Sequence, residues 1–139
     1  MVRITALCML LGASAWPLTI TEVHYNPPAR DGDCEFIELF NESCTVADLS
    51  GFRFSRGIAY VFPNGTHLDP GGYLVLAVNA AAFQARYGFA PDGVYTGRLD
   101  SSGETITLEN DAWSVDASGG DLHSGCRLIN FTYNDRGKW

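Results

Sequence analysis

Hydrophobic and polar residues alternate along most of this chain in short runs, and turn-forming residues separate the runs. Leu18 to Tyr25 alternates, with Ile20 and Val23 apolar. Asn26-Pro27-Pro28 ends that run, because proline fixes φ and brings no N–H to a ladder. "EFIELF" at 35–40 alternates again, with Ile37 and Leu39 on one face by the two-residue period of a strand. "LSGFRF" (49–54) and "GIAYVFP" (57–63) predict a hairpin that turns at Ser55-Arg56-Gly57. After the turn "LDPGG", "GYLVLAVN" at 72–79 is almost continuously apolar, which marks a buried strand.

A helical signal interrupts the strands. Asn79 suits an N-cap, "AAAFQARY" holds good helix formers with Phe83 and Tyr87 four apart on one face, and Gly88 suits the left-handed C′ position. Two turns are too short to persist alone, so packing must hold them. Then "DSSG" predicts a turn into "ETITLEN" (104–110), while "AWSVDASGG" (112–120) and "RLINFTY" (127–133) are expected to be the closing pair. Runs of this length and spacing predict an all-β, antiparallel β-sandwich with one short helix.

The first fifteen residues differ from the rest. Arg3 is a lone positive charge, Ile4 to Leu11 a short apolar run, and Ala13-Ser14-Ala15 a small-x-small cleavage site, so residues 1–15 are expected to be a signal peptide and residues 16–139 the mature domain. Roughly ten apolar residues do not cross a hydrocarbon layer about 30 Å thick, and no later stretch approaches twenty. The expected location is therefore outside the cytoplasm: secreted, periplasmic or at the cell surface.

Sixteen acids against nine bases set a net charge of −7, which becomes −8 once Arg3 leaves with the signal. Without a basic stripe to neutralise phosphates, direct nucleic-acid binding is not expected. Cleavage also removes Cys8 and leaves Cys34, Cys44 and Cys126 in an oxidising compartment. A strand from Glu35 to Asn41 separates its ends by about 20 Å, and the three residues to Cys44 reach back only about 10 Å. A disulfide needs Cα atoms within about 7 Å, so any bridge is expected to use Cys126.

The chemistry-bearing residues concentrate in "ITEVHYNPPARDGDCEFIELFN" (20–41). His24, His67 and His123 stand far apart, with none of the spacings that put two zinc ligands on one face. Asp31, Asp33 and Glu35 alternate as a calcium loop can, yet the glycine and the later bidentate glutamate of an EF-hand are missing, which favours a solvated acidic loop. Glu35 and Glu38 point to opposite faces and cannot form a hydrolytic pair. Glu22 and Glu38 could meet across neighbouring strands, where like charges repel. No G-x-S-x-G elbow is present. Trp16, Trp113, Tyr133 and Trp139 could stack on sugar rings or simply pack, and Asn41, Asn64 and Asn130 head glycosylation sequons usable in a eukaryotic secretory route.

In order, "ITEVHYNPP", "CEFIELFN", "DLSGFRFSRGIAYVFPNGTHLDPGGYLVLAVN", "FQARYG", "GVYTGRLDSSGETITLEN" and "FTYNDRGKW" resemble the lamin tail domain as it occurs in exported bacterial proteins, over residues 19–139. The resemblance implies an immunoglobulin-like β-sandwich with no agreed catalytic, cofactor or metal-binding set, and it makes "EFIEL-N" part of the framework. In nuclear lamins the module follows a filament-forming coiled coil and binds partners. In bacterial proteins it resembles an accessory module beside hydrolases, nucleases or spore-coat-kinase-like domains. This chain has no heptad segment and carries no hydrolase, and "DLHSGCR" sits where the family has a tighter turn. Ending at Trp139 suggests a fragment whose effector domain once followed.

The leading expectation is a non-catalytic exported binding or tethering module, accessory to a missing or separate effector, with a protein or cell-surface polymer as partner. The alternatives are a small secreted hydrolase or calcium-dependent carbohydrate-binding domain, and a structural piece that adds to another protein through a sheet edge.

Overall fold

The alternating pattern at 35–41 becomes a strand with two different faces. The computed structural model describes residues 18–28, 33–110, 113–115, 121–123 and 126–134, with the backbone alone at 113–115, 121–123, 126 and 127. In chain order the elements are β1 (Leu18–His24), β2 (Phe36–Asn41), β3 (Ala47–Asp48), β4 (Phe52–Arg56), β5 (Tyr60–Val61), β6 (His67–Leu68), β7 (Tyr73–Ala77), α1 (Ala80–Tyr87), β8 (Gly93–Val94), β9 (Thr105–Asn110), β10 (Trp113–Val115), β11 (Asp121–His123) and β12 (Cys126–Thr132).

Two four-stranded sheets, ordered β1-β2-β7-β8 and β12-β9-β4-β5, enclose one core. Ile37, Leu39, Leu74 and Leu76 from the first sheet meet Phe52, Phe54, Ile106 and Leu108 from the second, all buried. Each such side chain contributes about 1.5–3 kcal/mol by leaving water, so the interior face of β2 and β7 fixes the register. The predicted sandwich and its predicted core residues are therefore present.

The near-continuous apolar run at 72–79 has a direct cause: β7 is covered on both faces. Leu74 and Leu76 face the sandwich, whereas Val75 and Ala77 join Phe36 and Phe83 in a second small core beneath α1. The helix follows its sequence signals closely. Asn79 Oδ1 accepts from the N–H groups of Ala81 and Ala82 at 3.0 and 3.1 Å, and Gly88, at φ 84°, donates to the Gln84 carbonyl at 2.9 Å. Phe83 anchors the helix through edge-on contact with Phe36.

Several pairings differ from the sequence reading. The hairpin of β4 and β5 forms, with Arg53 opposite Val61 and Phe54 opposite Tyr60, but β4 runs on through Ser55 and Arg56 before turning. The expected closing pair does not form: β10 pairs with β11 in a hairpin of its own, and β12 pairs with β9. Alternation sets a strand's face without naming its neighbour, which explains the error. One pair is parallel, β7 with β8, because α1 carries the chain across between them. The two-residue strands β3 and β6 are too short to leave a periodic signal.

Cys44 is disulfide-bonded and Cys34 is a buried thiol whose Sγ lies 3.5 Å from the Ala82 carbonyl. The exclusion of a Cys34–Cys44 bridge therefore holds, while the side chain of Cys126 lies outside the described residues. Among the described residues no helix is long and apolar enough to cross a membrane.

Candidate functional site: the acidic stretch and the open sheet edge

Glu35, the residue before β2, shares the inward parity of Ile37 and Leu39, which places its carboxylate beneath the surface, at 6% exposure. A buried carboxylate is tolerated only when paired and hydrogen-bonded, and both conditions are met. The Leu99 N–H donates to Oε2 at 3.0 Å, and Arg98 reaches Oε1 at 3.3 Å through Nη1. The same guanidinium donates to Asp33 Oδ1 at 2.6 Å through Nη2. Asp33 above all, then Glu35, raises the pKa of Arg98 above its ordinary value. Asp33 and Glu35, expected in a solvated acidic loop, thus hold an arginine instead, with Glu35 buried rather than solvated, and Asp31 lies outside the described residues.

Glu38 faces the other way, onto the outer surface of its sheet. Glu22 is its register partner across β1 and β2, as the sequence allowed, next to a bulge between Ile20 and Glu22. Thr21, in that bulge, donates through Oγ1 to Glu38 Oε1 at 2.7 Å. Among the described residues neither Glu22 nor Glu38 is in an ion pair. They are not gathered with a histidine. His24 stacks on Phe36 with centroids 5.2 Å apart, His67 Nδ1 sits 3.6 Å from exposed Asp48, and the side chain of His123 lies outside the described residues. No group of three His, Cys, Asp or Glu that could hold a metal occurs among the described residues.

The remaining candidates divide by burial. Tyr133 is buried, lies against Tyr25 in a tilted ring contact with centroids 4.5 Å apart, and donates to the Asp100 carbonyl and Glu104 Oε1, each at 3.0 Å. Burial and the Glu104 hydrogen bond push its pKa far above the usual tyrosine value, and its ring is not available to a sugar. Trp113 lies on β10, while Trp16 and Trp139 fall outside the described residues. Asn41 is fully buried. Its Nδ2 donates to the carbonyls of Thr45 and Leu68 at 2.8 and 2.9 Å, and its Oδ1 accepts from the N–H and hydroxyl of Ser43 at 3.0 and 2.7 Å. That side chain clamps the β2–β3 turn to β6, so its sequon is closed to glycosylation in the folded state, whereas Asn64 and Asn130 are exposed.

The two lateral borders of the sandwich differ. At one, Ala59 and Thr96 exchange backbone hydrogen bonds at 2.9 and 3.0 Å and stitch the sheets together. At the other, β1 and β12 are the terminal strands of their sheets, and between them lies a groove of about 230 Å³ lined by Ile20, Thr21, Glu22, Val23, Tyr25, Phe131 and Tyr133. Phe131 remains 40% exposed there.

Residues 13–124 match the lamin tail domain family, which is most of the chain. The chain belongs to that family. The match gives the sandwich its immunoglobulin-like kinship, and it ends just before β12, the strand that completes the groove. Comparison with curated proteins and with solved structures yields no match. Within this lamin tail domain, the "EFIEL-N" phrase is framework on physical grounds: Glu35 binds Arg98 and Leu99, Ile37 and Leu39 fill the core, and Asn41 clamps a turn. Sequence reasoning missed Arg98 because 63 residues separate it from Glu35. It also missed Tyr25 and Phe131, whose common groove arises only when two sheet edges meet. No local signal marked Phe131: it has inward parity, opposite Ile106, and stays exposed only because β12 is the last strand of its sheet.

Proposed function

We propose that this lamin tail domain is a non-catalytic binding or tethering module, exported after removal of residues 1–15 and accessory to an effector domain that is separate or joined elsewhere in its protein. One contrast carries the reading. The carboxylates best placed for chemistry are consumed internally, Glu35 and Asp33 by Arg98 and Glu104 by Tyr133, while the border between β1 and β12 offers an apolar groove that nothing among the described residues covers. Convergent titratable groups in an enclosed cleft mark an enzyme site, whereas exposed apolar surface at a sheet border marks an interface. Loss of Asp33 and Glu35 to an arginine weighs equally against calcium-assisted carbohydrate binding.

The test is retention on the native envelope. The purified mature chain, tagged, should co-sediment with envelope fractions, and a fusion to an inert reporter should carry the reporter with it. A reporter fusion that stays wholly in the supernatant would refute tethering. Measurable hydrolysis that disappears on changing Glu22 or Glu38 would refute the non-catalytic reading.

A further inference from the structure

We propose that the open border between β1 and β12 receives an extended segment of a partner protein in which apolar and basic residues alternate. The proposal rests on the binding reading above and names the partner's chemistry. The groove holds about 230 Å³ between the apolar side chains of Ile20, Val23, Tyr25 and Phe131, with Thr21 and Glu22 also in its lining, and a cavity of about 150 Å³ already takes a benzene ring. It therefore accepts the apolar side chains of an incoming strand. A segment lying along β1 sends alternate side chains to opposite faces, so those between the groove-bound residues emerge on the outer face of the sheet.

That outer face carries Glu22 and Glu38, paired in register and without a cation among the described residues. Opposed like charges on neighbouring strands repel, and a lysine or arginine from a segment beside β1 comes next to Glu22, on the side away from Glu38, and offsets that repulsion. Acidic segments meet the same repulsion, and the chain's net charge of −7 steers cationic ones toward the surface. The bulge at Thr21 interrupts the backbone edge, so recognition relies on side chains on both faces of β1 more than on a long ladder.

Fluorescence anisotropy of synthetic peptides against the folded mature chain tests this. The probe alternates valine and lysine over seven residues, the length of β1; the controls replace lysine by glutamate or by serine. The lysine peptide should bind, weaken with added salt, and lose about tenfold in affinity with Glu22→Gln plus Glu38→Gln. Phe131→Thr should lower its affinity several-fold, roughly half a decade or more. Glu22→Lys plus Glu38→Lys should transfer preference to the glutamate peptide, which guards against a folding defect in any single variant. Equal binding of all three peptides, or lysine-peptide binding that survives both the glutamine pair and Phe131→Thr, would overturn the proposal. Envelope retention of the wild type that is unchanged in those variants would overturn it while leaving the tethering reading intact; absence of retention would remove the tethering reading itself.

Discussion

Glu35, just before β2, and Glu38, within it, stand three residues apart, one turned into the protein and met by Arg98 and the Leu99 N–H, the other turned out to face Glu22 across a strand pair with only a threonine hydroxyl for company. Identical chemistry therefore serves two ends. Inside, the carboxylate ties the β1–β2 connection to the loop before β9, and its removal leaves donors without acceptors. Outside, the carboxylate repels its neighbour and stays available to a cation. The parity of the strand decides which role each takes.

The largest expected effect follows from removing the inner acid. Glu35→Ala should destabilise the fold by about 3 kcal/mol, since it strands the Leu99 N–H and part of the Arg98 guanidinium; urea unfolding of the two proteins measures it. A loss no greater than that of a surface substitution would erase the contrast. Next comes Tyr133→Phe, which tests whether Glu104 belongs to the internally engaged class. Losing its hydroxyl contacts should cost about 1 kcal/mol, read by the same melts.

Tyr95 sharpens the inner half of the comparison. Its hydroxyl is buried without a hydrogen-bond partner among the described residues, and burial first, then the charge of Glu35, raises its pKa well above 10.0. The folded chain therefore keeps this proton where the unfolded chain releases it. The stability it contributes is complete below pH 10.0 and declines as the pH climbs past that value. Tyr95→Phe should flatten that alkaline decline, with Tyr133 and Tyr60, whose pKa values are also raised, supplying what remains, and should hold or raise stability at neutral pH by up to about 1 kcal/mol. A steep loss at neutral pH would mean that the hydroxyl has a partner. The smallest effect belongs to the outer acid: Glu38→Gln should stabilise by a few tenths of a kcal/mol, roughly the scale of one cross-strand charge contact, and the gain should shrink in salt.

How far the chain announced these roles depends on distance along it. Local rules sufficed for α1, whose cap at Asn79, anchor at Phe83 and terminator at Gly88 are all spelled within ten residues. Strand parity sufficed for Ile37, Leu39, Leu74 and Leu76, and for the opposite facing of Glu35 and Glu38. What parity does not encode is partnership: β12 beside β9, β8 parallel to β7, and Arg98 beside Glu35 are long-range facts set by packing. The groove was hidden for the same reason. Ile20 and Phe131 become neighbours only when two sheets close, so an apolar residue at a border looks like any other core position.

Thermal unfolding of the mature chain with and without millimolar calcium tests most directly whether the acidic stretch is architecture. Because Arg98 already engages both Asp33 and Glu35, the account expects the two melting curves to coincide. A ligand that binds the folded state must raise its melting temperature, so a clear rise with calcium, abolished by Glu35→Gln, would contradict it.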